Sequence, residues 1–394
     1  MAGYRTLAAA VAGLAAAGTI AAAVVMTGHP GIRTVQAAAS TRSGPVLGRP
    51  SAAPGAFLAR LRTVRTISST VPFNGDLNPY GIVVIQHSAG RLHAGDILVS
   101  NFNDKANRQG TGSTVVEITP AGKMRVFAQI TRAMLPGSCP GGIGLSTALT
   151  VLPDGWVAVG SAPSANGQAA TARAGCVILL NDLGQVRETL AGALIDGPWD
   201  ATVVSHGDLA SLFVTNAFRG TAAGHGKIVR AGTVARITLR LSAARAPRFL
   251  GAIIVASGLA EQASPAAFVL GPTGIAVSPA GTLYIADTAT SAITAVPRAL
   301  TRNTSGGPGL TVTSGGALSQ PLGLSLAPNG DILTVNGGNG KIIETTPAGR
   351  QIGTTFLDTT GSPAGAGALF GLTLTPSGAV YYTDDAENTL RLLH

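Results

Sequence analysis

The stretch "GPTGIAVSPAGTLYIADTATSAITAV" (residues 271–296) decides the fold. It holds three short apolar runs, "GIAV", "TLYIAD" and "AITAV", clipped by Pro, Gly and small polar residues. Runs of that length bounded by turn residues read as strands. The phrase then returns. Aligned on its opening, the chain gives six copies: "NPYGIVVIQHSAGRLHAGDILVSNFND", "LSTALTVLPDGWVAVGSAPS", "GPWDATVVSHGDLASLFVTNAF", the stretch above, "QPLGLSLAPNGDILTVNGGN" and "ALFGLTLTPSGAVYYTDDAEN". The anchoring small residues are Gly81, Ala148, Ala201, Gly274, Gly323 and Gly371, and the last three units lie just under fifty residues apart. A period of this size, with several strands per unit, predicts a propeller.

The first strands are apolar on both faces and small or branched, as in "GLSL" and "GLTL". A strand buried between neighbouring sheets reads like that. A second strand ends in Asn, Asp or Ser. A third follows ("STVVEIT", "CVILLND", "VARITLRL", "AITAVPR", "KIIETTP", "TLRLLH"), then a looser fourth ("MRVFAQI", "VRETLAG", "FLGAIIVA", "GLTVTSG", "QIGTTFL"). The sixth unit stops at His394 after three strands. The segment "TVRTISST" (residues 63–70) can supply the missing one, closing the ring and removing an open edge. The expected fold is all-β: a six-bladed β-propeller of four-stranded antiparallel blades over residues 57–394, with an N-terminal strand completing the last blade.

"PTGIAVSPAGTLYIADTATSAITAV" resembles the NHL repeat, whose units run Pro-x-Gly-Ile-Ala-Val and then Gly-x-Leu-Tyr-Val-Ala-Asp-Thr. The resemblance is good in units four to six, fair in one and three, and weak in two. It implies a six-bladed propeller and no particular chemistry.

A charged fraction of 11% and a mean hydropathy of +0.35 exclude a disordered chain, and 53 Gly with 23 Pro fit short strands and tight turns. Arg5 precedes an uncharged run over residues 7–26, and "VQAAAS" offers Ala37 and Ala39 as the small residues of a cleavage site. Residues 1–39 are therefore expected to be a signal peptide. The run is also close to bilayer-spanning length, so an uncleaved anchor stays open. Residues 40–56, rich in Pro, Gly and Ser, read as a flexible linker. Either way the chain is expected outside the cytoplasm, in the periplasm, the cell envelope or the extracellular space. Membrane contact follows only if the leader stays.

The net charge of +9 and a pI near 10.2 raise nucleic acid as a partner. Export and the lack of aromatics interleaved with basic residues argue against it. The densest basic set, Arg230, Arg236, Arg240, Arg245 and Arg248, falls on two expected outer strands, where charge keeps an edge from pairing with others. An anionic envelope polymer or lipid headgroup is the alternative contact. Cys139 precedes the first strand of unit two and Cys176 opens its third. In a meandering sheet these ends share one face, so an exported chain is expected to bridge them across the insertion "SAPSANGQAATARAG". Two buried free thiols are the alternative.

The second strands end in Asn101, Ser161, Asn216, Asp287, Asn336 and Asp384. These are expected on the face where first strands begin, around the mouth of the central channel, where such folds carry pockets. Asn101, Asn216, Asp287, Asn336 and Asp384 are thus candidate ligand contacts, although Asn and Asp at strand ends also bond their own backbone. "GPWD" adds Trp199, one of two Trp, and Asp200, as a stacking surface and a bonding partner for a carbohydrate or small polar ligand. A plug between blades and a strand cap are their simpler roles.

Gluconolactonase-like propellers gather Asp, Asn and Glu at inner-strand starts around a divalent cation, which needs several oxygen ligands. Here those positions hold Tyr80, Thr147, Asp200, Thr273, Leu322 and Phe370, with one carboxylate, so no metal or other cofactor is expected. His87 and His206 close first strands on the opposite face, which does not fit a zinc site or the His and Glu pairing of virginiamycin B lyase. The expected function is a non-catalytic module, a monomer, binding a small polar ligand, carbohydrate or protein at the propeller face. The alternative is a propeller lyase or hydrolase, metal-dependent or not, with its site at the channel mouth and its catalytic residues unassigned.

Overall fold

Residues 51–52, 55–242 and 245–394 are described by the computed structural model. The expected leader (1–39) and most of the expected linker (40–56) lie outside them. Among the described residues the regular structure is β-strand, apart from short 3-10 turns.

Six antiparallel sheets meander outward from a central axis. Blade 1 runs Leu77–Val84, Ile97–Asn103, Thr114–Ile118 and Met124–Gln129. Blade 2 runs Leu145–Val151, Val157–Ser161, Cys176–Leu180 and Val186–Leu190. Blade 3 is longer, with Pro198–His206, Leu209–Asn216, Val229–Arg240 and Arg248–Ser264. Blade 4 has Pro272–Val277, Leu283–Asp287, Ala292–Val296 and Leu310–Ser314. Blade 5 has Pro321–Leu326, Ile332–Asn336, Lys341–Thr345 and Gln351–Phe356. Blade 6 supplies Leu369–Leu374, Val380–Asp384 and Thr389–Leu393, and its fourth strand is Val64–Ser69 from the other end of the chain. Val64 pairs with Leu393 and Ser69 with Thr389, so the ring closes as the truncated sixth unit requires. Just upstream, Ser51 and Ala52 pair with Thr354 and Gly353 of blade 5. Glu344 of that blade accepts from the backbone N–H groups of Phe57 and Leu58, at 2.7 and 2.8 Å. The beginning of the described chain thus fastens blades 5 and 6 together.

The repeated phrase has a steric cause. In every blade the register between the first and second strands slips at the anchor: between Pro79 and Ile82 in blade 1, and between Pro272 and Ile275 in blade 4. A bulge there presses the backbone against the next inner strand. A Cβ added to Gly274 would lie within 3.0 Å of Leu322 and Leu324 of blade 5. One added to Gly371 would lie within 3.0 Å of Tyr80 and Ile82 of blade 1. Only a minimal residue fits such an approach.

Blade 3 corrects the expected alignment by one residue. Pro198 pairs with Asn216 and Ala201 with Val214, in the manner that Pro79 pairs with Asn101 and Ile82 with Val99. The anchor position of blade 3 is therefore Asp200, not Ala201, and Trp199 stands where the other blades have Tyr80, Thr273, Leu322 and Phe370. The carboxylate of Asp200 spans the gap that backbone contact closes elsewhere: it accepts from the Ile275 N–H of blade 4 at 3.0 Å and from the Ala201 N–H at 2.8 Å.

Cys139 and Cys176 form a disulfide, with Cα atoms 5.1 Å apart across a separation of 37 residues. The outermost strand of blade 3 runs on past "FLGAIIVA" to Ser264, then doubles back as Phe268–Leu270, which pairs with Gln262–Ser264. Arg236 of the same blade donates to Ala299 O at 2.7 Å, tying it to blade 4, and Arg240 pairs with Asp208 at 3.3 Å.

Candidate functional site at the channel mouth

The six strand-end residues are buried, and each bonds backbone within the scaffold. Asn101 Nδ2 donates to Thr70 O at 3.0 Å, Ser161 Oγ to Gly142 O at 2.8 Å, Asn216 Nδ2 to Leu194 O at 3.1 Å, and Asn336 Nδ2 to Ala317 O at 2.8 Å. Each acceptor lies on the segment that brings the chain into that blade. Asp287 instead accepts from the Thr290 N–H at 3.2 Å. Asp384 pairs with Arg391 at 3.1 Å. None of the six lines the mouth.

The residue after each strand end points the other way, because side chains alternate along a strand. Phe102, Thr288, Gly337 and Asp385 occupy that next position, and all four line a cavity of about 510 Å³ at the mouth. Its floor is aromatic and aliphatic, with Tyr80, Trp199, Leu322 and Phe370 supplied by the inner-strand starts. Tyr80 and Phe370 have ring centroids 4.8 Å apart, and Trp199 meets Phe102 edge-on at 5.3 Å. Behind the floor, the returning hairpin of blade 3 stacks the buried Phe268 on Trp199 at 6.1 Å with planes 9° apart, while its Ala266, Ala267, Val269 and Leu270 line the cavity. Phe268 holds a φ of 61°, a left-handed conformation uncommon for a bulky residue. Amide side chains of Asn78, Asn103, Asn107, Gln109 and Gln320 form much of the rim. Asn78, Tyr80, Asn103 and Trp199 each leave one buried polar atom without a hydrogen-bond partner.

Asp385 is the one charged residue lining this cavity. Its carboxylate has no hydrogen-bond partner among the described residues, while its backbone N–H donates to Ala368 O at 2.7 Å. Burial, with the charge of Asp384 beside it, pushes its carboxyl up to about 7. Trp199 lies in the floor, only 2% exposed, but Asp200 does not line the cavity. At the anchor of blade 3, burial pushes its carboxyl up to about 8 against the two backbone N–H groups. Burial also raises the Tyr80 hydroxyl well above its ordinary value, the Trp199 indole opposes this, and the charge of Asp200 adds to it. No Lys, Arg or His among the described residues lines the mouth.

A divalent cation at the axis would not find its ligands here. The inner-strand starts that line the mouth are Tyr80, Trp199, Leu322 and Phe370, Thr273 is buried and bonded to Pro321 O and Ala286 O, and the nearby carboxylate of Asp200 is engaged by backbone. His93, Asp96 and Glu117 do come together on blade 1, with ligand atoms within 4.8 Å of one another. That cluster already holds the Arg125 guanidinium, 2.6 Å from Glu117 Oε2 and 2.8 Å from His93 Nδ1. His87 and His206 are exposed. A larger cavity, about 630 Å³, lies away from the axis on the outer strands of blades 2 and 3, lined in part by Leu190, Ile195 and Phe249.

Asp385 was missed because the doubled Asp in "YYTDDAEN" was read for its first member alone. The signal that could have found it is the same alternation that turns Asp384 inward. Phe268 lies in an insertion outside the repeat, which gave it no address.

No protein-family model matches the chain, and neither does any curated protein. Among solved structures, the chain is similar to a gluconolactonase from Xanthomonas campestris at 15% identity, covering 90% of this chain and 98% of that one, with a TM-score of 0.52. A second structure described as a gluconolactonase matches at 15% identity, over 88% and 97% of the two chains, with a TM-score of 0.52. Virginiamycin B lyase from Staphylococcus aureus follows at 16% identity, over 84% of each chain, with a TM-score of 0.47. The likeness to the two gluconolactonase structures agrees with the six-bladed propeller and shows the fold alone. The resemblance to the NHL repeat rests on the wording of the repeat alone.

Proposed function

We propose that the mouth cavity is the active site of a metal-independent propeller lyase or hydrolase, with Asp385 as its acid–base group. The observation that carries this reading is an unbonded carboxyl, shifted to about 7, in the wall of an aromatic-floored cavity. Near neutral pH such a group is partly ionised. It takes a proton from water or from a substrate C–H beside a carbonyl, and returns it to the leaving group. Tyr80, Leu322 and Phe370 would hold the apolar part of the substrate and keep water from it. The likeness to gluconolactonases adds only that this fold accommodates such chemistry. The Cys139–Cys176 bridge supports a working place outside the cytoplasm, since disulfides persist in oxidising compartments.

A second reading, binding without turnover, draws on Asp385 being the sole carboxyl that lines the cavity, with no second carboxyl or imidazole in the lining to share the acid and base roles. The test is a panel of lactones, esters and eliminable carbonyl compounds, assayed with and without a chelator. The expected result is turnover of one class, indifferent to chelation and at least about 100-fold slower in Asp385→Asn. Activity lost on chelation, or retained in the variant, contradicts the assignment. Saturable binding without turnover selects the second reading.

A further inference from the structure

We infer that the ligand of the mouth cavity carries a positive charge, an organic ammonium on an apolar body. The inference rests on the mouth being the small-molecule site proposed above, and deepens it by naming the ligand's charge. The chain has a net charge of +9, yet no basic side chain among the described residues lines this cavity. Two guanidinium groups next to lining residues are held by carboxylates: Arg108, between Asn107 and Gln109, by Asp104 at 2.8 Å, and Arg391 by Asp384, the neighbour of Asp385, at 3.1 Å and by Glu387 at 2.5 Å. Asp385 alone carries charge on the wall, and its carboxylate has no hydrogen-bond or ion-pair partner among the described residues.

Asp384 stands behind that wall, and Asp200 is close enough to Tyr80 of the floor to act on its hydroxyl. A carboxylate or phosphate entering the mouth meets like charge and no cation, a repulsion that a poorly hydrated cavity strengthens. An ammonium meets the opposite field, while Tyr80, Leu322 and Phe370 take up its apolar body. The ionised carboxylate that attracts the cation is also the basic form used in proton transfer. Its ionisation is set first by burial and then by the charge of Asp384, itself buried and acted on by Arg391, Asp358 and Glu387.

The test is calorimetry with three probes of one shape: benzylammonium, benzyl alcohol and benzoate. Benzylammonium should bind at least about tenfold tighter than benzyl alcohol, which corresponds to about 1.4 kcal/mol, and benzoate should not bind. The preference should grow from about pH 6 to about pH 8 as Asp385 ionises. Asp385→Asn should bring the ammonium and the alcohol within about twofold of each other. Ala266→Lys, at an exposed position of the rim, leaves the buried wall intact and should weaken the ammonium several-fold. Benzoate binding as tightly as benzylammonium, or a preference that survives Asp385→Asn, overturns the inference while leaving the mouth as a site. Failure of all three probes to bind overturns both.

Discussion

Blade 5 obeys the repeat and blade 3 breaks it. In blade 5 the anchor is Gly323, the strand end Asn336 is bonded to Ala317 O, and the four strands are short. In blade 3 the anchor is Asp200, the position before it is Trp199, and the outer strand overruns into a hairpin that lays Phe268 on Trp199. The difference teaches where to look. Polar groups that recur in every blade hold the scaffold, and features that occur once gather at the mouth. Asp385 follows the same rule: its neighbour Asp384 belongs to the repeat and is paired, while Asp385 does not and its carboxylate is free of partners among the described residues.

The comparison breaks first, if it breaks, at the anchors. Gly323→Val should cost about 3 kcal/mol or more in denaturant unfolding, because its Cβ would lie 2.7 Å from Leu372 N of the next blade. Tolerance of valine there would deny the steric basis of the repeat. Asn336→Ala should cost about 1.5 kcal/mol, through a half-buried carbonyl left without its donor. Asp200→Gly, which restores the repeat in blade 3, should cost only about 1 kcal/mol at mildly acid pH, by removing the acceptor for the Ile275 N–H.

Asp200 also sets a pH signature. Its folded carboxyl sits at about 8, above the unfolded carboxylate value of about 4. Its contribution is therefore fully present below the lower value and lost as pH rises through the upper one. Asp384 and Asp385, each raised to about 7, act in the same direction. Thermal unfolding should thus show stability falling between about pH 5 and about pH 8, with a shallower fall in Asp200→Asn. A stability that rises over that interval would contradict the burial of these acids. At about pH 4, where ionisation of the carboxyl does not yet weigh on the folded state, the smallest effect on folding belongs to Asp385→Asn, within about 0.5 kcal/mol, since no hydrogen bond of its carboxylate is lost.

The architecture was legible because the steric demand at the anchors writes itself into the chain, as Pro-x-Gly in blades 1, 4 and 5 and as looser variants in the other three. The missing sixth outer strand was legible for the same reason, as an unpaired "TVRTISST" at the other end. The site was less so, and by a single residue. A strand's period of two assigns inward and outward faces only once its phase is known, and the bulge that sets the phase leaves no mark in composition. The strand ends Asn101, Asn216, Asp287, Asn336 and Asp384 therefore looked like the mouth, while Phe102, Thr288, Gly337 and Asp385, one step on, form it. In blade 3 the same slip exchanged the roles of Trp199 and Asp200.

The most direct test uses the two tryptophans as built-in reporters in a nitrogen–proton correlation spectrum. Trp199 lies in the floor of the mouth, and Trp156 lies away from it, its indole N–H donating to Ser242 O at 3.4 Å. A small molecule that the protein binds or turns over should move the Trp199 indole resonance and leave that of Trp156 in place. A ligand that moves Trp156 alone, or neither, would contradict the assignment of the mouth as the working site.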